Sequence, residues 1–179
     1  MKKRIVRDMT LIALFSALIS VTAFISIPIG TLPITLQTFG VFSSLMLLGG
    51  KRGTISVGVY IALGAVGLPV FSGFSGGIGR LFDATGGFIW GFLASALVYW
   101  LLSWILGSSV VSTVISCIIS HLALYAVGSA WLYIGYSDGT GFFPTLAASV
   151  LPCLIPDVIK LVLAVFICEK MKKRLNKPL

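Results

Sequence analysis

The sequence predicts an all-α integral membrane protein of six transmembrane helices, with both termini in the cytoplasm and outer loops capping a ligand cavity. Three observations carry that prediction. First, 58% of the 179 residues are hydrophobic and only 10% are charged, and the mean hydropathy is +1.08. Such a chain cannot hide its apolar surface from water by folding on itself, whereas a bilayer removes the need. Second, six apolar stretches alternate with turn-rich segments: 9–27, 36–50, 54–70, 87–106, 110–134 and 145–168. Third, all but Arg80 and Lys160 of the 13 Lys and Arg residues flank those stretches. They fall into three groups: Lys2, Lys3, Arg4 and Arg7; Lys51 and Arg52; Lys170, Lys172, Lys173, Arg174 and Lys177. Cationic flanks mark cytoplasmic ends, so the net charge of +8 points to lipid headgroups and not to nucleic acid. One membrane domain, 1–179, accounts for the whole chain, with no room for a separate soluble unit.

The first span follows KKRIVRD and is long enough to cross, so a retained helix is expected in place of a cleaved signal peptide. Ala13 and Ala17 stand four residues apart on it, a small-xxx-small pattern that lets another helix approach closely. Pro28, Gly30 and Pro33 then break the helix. The second stretch is too short to cross unaided, so the preceding LPITLQT is expected to run at membrane depth inside the protein. Thr35, Gln37 and Thr38 there either line a cavity or join helices by hydrogen bonds. Lys51 and Arg52 mark a cytoplasmic turn before the third span runs outward.

Residues 71–88, FSGFSGGIGRLFDATGGF, form a glycine-rich outer loop whose backbone can approach a ligand closely. Arg80 in it can hold a carboxylate bidentately or pair with Asp83 across a turn. It is not a phosphate loop, because GK[ST] is missing and no GxGxxG follows a strand. After the fourth span, Gly107, Ser108 and Ser109 make a tight turn. The fifth carries the only histidine, His121, a residue type more often a satisfied interior donor than a catalyst in such a setting. GYSDGTGFFP, 135–144, is the third outer loop, and the sixth span ends in the basic tail.

That last span places Asp157 and Lys160 inside a hydrophobic run. Three residues apart on a helix, they share one face and can meet each other or a common polar ligand. Asp157 lies twelve residues before Glu169, about 18 Å along the helix, in the half of the membrane farther from the basic end. Charges at that depth face a bundle interior or a cavity. Pro156 is expected to kink or restart the helix beside them. The pair either binds a ligand or neutralises itself while holding helices together. Cys117, Cys153 and Cys168 are dispersed in apolar runs as small hydrophobes, and with one His they make no metal ligand set. No chain of intramembrane carboxylates offers a proton or cation path.

LPITLQTFGVF (32–42), GAVGLPVFSGFSGGIGRL (64–81), TGGFIWGF (85–92) and PDVIK (156–160), in that order along nearly the whole chain, closely resemble the BioY family, the biotin-binding S components of energy-coupling factor (ECF) transporters. The resemblance implies the ECF S-component fold, capture of biotin from outside, and uptake with an energising module of two ATP-binding subunits and a transmembrane coupling subunit. It also implies a prokaryotic plasma membrane, no cofactor and no enzymatic activity. By the same resemblance, Ala13 and Ala17 match the motif with which S components dock on the coupling subunit. This chain has DATGGF (83–88) where many relatives have GPTGGY. Biotin presents a ureido carbonyl, two N–H donors, an apolar tail and a carboxylate. Lys160 would donate to the carbonyl, Asp157 would accept an N–H, and Arg80 would meet the carboxylate. Thr35 and Gln37 are the further polar candidates, and Phe39, Phe71, Phe74, Phe88 and Trp90 the apolar ones.

Three other readings compete. GFSG, 73–76, resembles the GxSG of rhomboid intramembrane proteases, with Ser75 as nucleophile and His121 as base. His121 lies about 20 Å below the outer end of its helix, however, too deep to meet a loop serine. An S component for another vitamin would share every feature except the ligand chemistry. A stand-alone carrier would be expected to show an inverted repeat, and none is evident.

Overall fold

The computed structural model describes residues 2–29, 32–107, 109–136, 139 and 141–175. Its elements in order are α1 (Lys2–Phe24), β1 (Ser26–Ile29), β2 (Leu32–Thr35), α2 (Gln37–Leu48), α3 (Gly50–Ala65), a 3₁₀ turn (Ile78–Leu81), α4 (Gly86–Leu106), α5 (Val110–Tyr136) and α6 (Phe142–Leu175). The fold is thus six helices and one small hairpin. Four of the helices, α1, α4, α5 and α6, are long and apolar enough to cross a membrane. At 12 and 16 residues, α2 and α3 reach only about 18 and 24 Å.

Short helices survive here because they are enclosed. Every α2 residue from Gln37 to Met46 except Phe39 is buried, and α2 packs against α1, α3 and α6. Small polar residues knit the bundle where apolar packing alone gives no register. Ser16 Oγ donates to the Ser56 carbonyl at 2.8 Å, joining α1 to α3, and Thr54 Oγ1 donates to the Ala96 carbonyl at 3.0 Å, joining α3 to α4. Gly49, with φ +81°, makes the α2–α3 turn that a side chain would strain. Gly53 then lets α3 lie so close to α2 that a Cβ there would stand 2.7 Å from Leu45 Cα.

LPIT forms one strand of a small hairpin: β1 and β2 pair antiparallel with Ser26 opposite Thr35 and Pro28 opposite Pro33. A two-stranded ribbon has an outward edge on both strands, where a proline's missing N–H breaks no ladder bond. The third helix ends at Ala65, not 70, because Gly67 (φ +110°) and Pro69 turn the chain there. The sixth is one helix through Pro152 and Pro156, with no restart at Pro156. Neighbouring helices and local adjustment let a membrane helix absorb the lost bond. Finally, α1 begins at Lys2, so the basic flank is itself helical. Of the predicted turns, Gly30, Ser108, Ser137, Asp138 and Thr140 lie outside the described residues, as does Lys177 of the basic tail.

Candidate ligand-binding site

Asp157 and Lys160 sit one turn apart on the inner face of α6, only 5% and 9% exposed. Lys160 Nζ donates to Asp157 Oδ1 at 2.7 Å and to the Thr35 carbonyl of β2 at 2.7 Å. The other carboxylate oxygen, Oδ2, accepts from Tyr125 OH at 2.7 Å and lies 3.5 Å from His121 Nε2. His121 and Tyr125 are themselves one turn apart on α5, their rings edge to face at 4.6 Å. The buried charges are therefore mutually neutralised and hydrogen-bonded, the condition under which such a pair persists in a low dielectric. An ammonium has three donors, and Lys160 spends two on these protein partners.

Asp157, Lys160, Thr35 and Tyr125, though not His121, form part of the wall of a cavity of about 460 Å³, within the range of small-molecule sites. Of the predicted residues, Asp157, Lys160, Thr35, Gln37, Phe71, Phe88 and Arg80 all line it. Gln37 is only 4% exposed and its Nε2 has no partner among the described residues. Phe71 is fixed edge to face on Tyr60 at 5.5 Å and occupies the space left by the missing side chain of Gly64. Tyr60 lines the cavity too, and its hydroxyl likewise has no partner.

Three predicted aromatics are not in the wall. Phe74 is 67% exposed and stacks on Phe24 at 4.4 Å, Phe39 packs against the hydrophobic core, and Trp90 Nε1 donates to the Leu81 carbonyl at 3.1 Å. On α4, Phe88 and Trp90 point to different sides of the helix, so only one can reach the cavity. Tyr125 and His121 were missed as partners of Asp157. Their signal was a polar pair at i and i+4 on an apolar helix, spacing that aims both at one neighbour.

The loop between α3 and α4, which contributes Phe71, Ser75 and Arg80 to the cavity wall, is stapled from several sides. Gly77 N–H donates to the Gly64 carbonyl at 2.7 Å, Trp131 Nε1 to the Asp83 carbonyl at 3.0 Å, and Tyr136 OH to the Phe82 carbonyl. Asp83 organises the segment entering α4: Oδ1 accepts from Thr85 N–H at 2.8 Å and Thr85 Oγ1 at 2.7 Å, while Oδ2 accepts from Arg80 Nη1 at 2.7 Å. Partial burial raises the Asp83 pKa, but the hydrogen bonds from Thr85 and Arg80 and the guanidinium charge outweigh it and hold the carboxyl below its ordinary value. Arg80 thus has an ion-pair partner and also borders the cavity. Ser75 Oγ donates to the Ser72 carbonyl at 2.8 Å, while His121 turns to Asp157, so serine and histidine are each engaged elsewhere. Ala13 and Ala17 are exposed on α1, away from the cavity.

A neutralised charge pair in a cavity wall shared with a stapled loop, in a bundle of membrane-length helices, defines a membrane-embedded small-molecule binding protein. The sequence profile of the BioY family matches residues 1–177, and the chain belongs to that family. It is 39% identical to the probable biotin transporter BioY of Pyrococcus horikoshii, over 93% of this chain and 96% of that one. Identity is also 39% to the biotin transporter BioY of Thermotoga maritima, again over 93% and 96% of the two chains. A crystal structure of the S-component for biotin from an ECF-type ABC transporter superposes with a TM-score of 0.87 at 29% identity, covering 97% of this chain and 94% of that one. The S component of another bacterial ECF transporter gives 0.65 at 15% identity over 96% and 98%, a likeness of fold. The expected family and the helical S-component fold are thereby borne out.

Proposed function

We propose that this chain is the biotin-capturing S component of an ECF transporter in a prokaryotic plasma membrane, crossing six times with both termini inside. The observation that carries the proposal is the Asp157–Lys160 pair in the cavity wall, tied to Thr35 and Tyr125. Biotin's ureido group is neutral but strongly polar. Lys160 donates its remaining proton to the ureido carbonyl, Asp157 accepts a ureido N–H on a free lone pair, and Gln37 supplies a further donor. Phe71 and Phe88 flank the ring and tail, and Arg80 at the mouth meets the carboxylate with the guanidinium donors that Asp83 leaves unused. Nothing in this chemistry makes or breaks a covalent bond. Movement of the ligand falls to a coupling subunit and two ATP-binding subunits, with docking on α1 at Ala13 and Ala17.

Mass spectrometry of small molecules extracted from the purified protein tests the reading. One biotin per chain is the expected result. A different vitamin in stoichiometric amount would redirect the proposal to that ligand class, and failure to bind added biotin at micromolar concentration would overturn it.

The membrane arrangement has its own test. In a background lacking the native cysteines, Gly79→Cys should react with an impermeant maleimide on intact cells, and Lys51→Cys only after lysis. Both sites tolerate the change, since Gly79 has open space where a Cβ would stand and Lys51 is exposed. The reverse pattern would invert the topology.

A further inference from the structure

A second cavity of about 900 Å³ opens between α5 and α6 at the basic end of the molecule, remote from the ligand site. Nearer the opposite end the two helices are tied together by Tyr125 to Asp157 and by Ser129 to Ser149 at 3.3 Å. Below those ties an apolar trench runs between Val110, Val114 and Ile118 on one side and Val158, Val162 and Phe166 on the other. Its mouth carries Glu169, Lys170 and Lys173. Glu169 is engaged by Lys172 Nζ at 2.8 Å, and among the described residues neither Lys170 nor Lys173 has a carboxylate partner. Among the described residues, the trench therefore ends in two positive charges without a carboxylate partner.

We infer that this groove holds an acyl chain of an anionic phospholipid, with Lys170 and Lys173 binding the phosphate. Apart from the Cys117 thiol the walls between the mouth and the inner end are apolar, a lining that suits hydrocarbon better than water. Val158 to Phe166 spans about 12 Å of helix, close to the roughly 15 Å of hydrocarbon in one leaflet. The lysines then stand at headgroup level, where each attracts an anionic lipid. Lys170 Nζ lies 5.9 Å from the centre of the Phe166 ring, which keeps the ammonium at the rim of the trench.

Native mass spectrometry of the detergent-purified protein, with phosphatidylglycerol or phosphatidylcholine of the same acyl chains added, reads this directly. Phosphatidylglycerol should be retained about tenfold better, and inorganic phosphate should not displace it. Lys170→Gln with Lys173→Gln should bring the preference close to one, and Val162→Trp should abolish adducts of both lipids. Val162 is 63% exposed, so the tryptophan fills the groove without entering the core. Helix content and a monodisperse elution check the fold, and Ile118→Trp on the opposite wall replaces Val162→Trp if that variant aggregates. Equal retention of the two lipids, a preference unchanged in the lysine variant, or adducts surviving the tryptophan would each overturn the inference. So would a photoreactive residue at position 162 that cross-links in native membranes to a polypeptide instead of lipid.

Discussion

Replacing either Asp157 or Lys160 is expected to weaken biotin binding more than a hundredfold, measured by titration of the purified protein. Each substitution removes one ligand hydrogen bond and leaves its partner as an unpaired buried charge, together about 3 to 5 kcal/mol. The structure refines the ranking. Asp157→Ala strands Tyr125 OH and His121 as well as Lys160, so it is the most damaging. Asp157→Asn keeps the shape and an acceptor and is milder. Lys160→Met also releases the Thr35 carbonyl, loosening β2 against α6. Desthiobiotin, which keeps the urea and carboxylate, should depend on both residues in the same way. If the pair only fastens α6 to α5 and β2, the double variant Asp157→Asn with Lys160→Met, free of unpaired charge, would recover both folding and affinity. Near-normal biotin affinity in that double variant would sink the ligand assignment.

The parts of this site that sequence reading reached are those whose signal is local. Asp157 and Lys160 share a helix, and their spacing alone puts them on one face. Thr35, Gln37 and Phe71 follow from polar or turn-rich chain lying next to short helices that must be enclosed. Tyr125 and His121 share a face by their i, i+4 spacing, but that spacing does not say which neighbour they meet, and Asp157 is 32 residues from Tyr125, across a helix pair that no periodicity specifies. The same applies to the choice between Phe88 and Trp90, which depends on the rotation of α4. At Pro156 the sequence left a kink and a restart open, and the helix continuing through it excludes the restart. For Asp83 the sequence offered the pairing with Arg80 across a turn, which the structure shows, but not the two hydrogen bonds from Thr85, which exist only once the loop is folded against α4.

Bulky side chains on α1 should separate capture from import. The helix turns Ser16, Ile19, Ser20 and Ala23 into the bundle, a stripe at helical spacing, while Ala13 and Ala17 are exposed on another face. Only methyl groups project at these two positions, so a partner helix can approach to backbone contact there, and a pair of large side chains would hold it off by several ångströms. Ala13→Trp with Ala17→Trp disturbs no buried contact and lies far from the cavity, so biotin affinity should match the unmodified protein. Import of radiolabelled biotin into cells expressing the energising module should fall to background, and the variant should no longer co-purify with the coupling subunit. The separation itself is the diagnostic. A parallel loss of affinity would mean that this face packs within the bundle, and full import with wild-type affinity would place the docking surface on another helix.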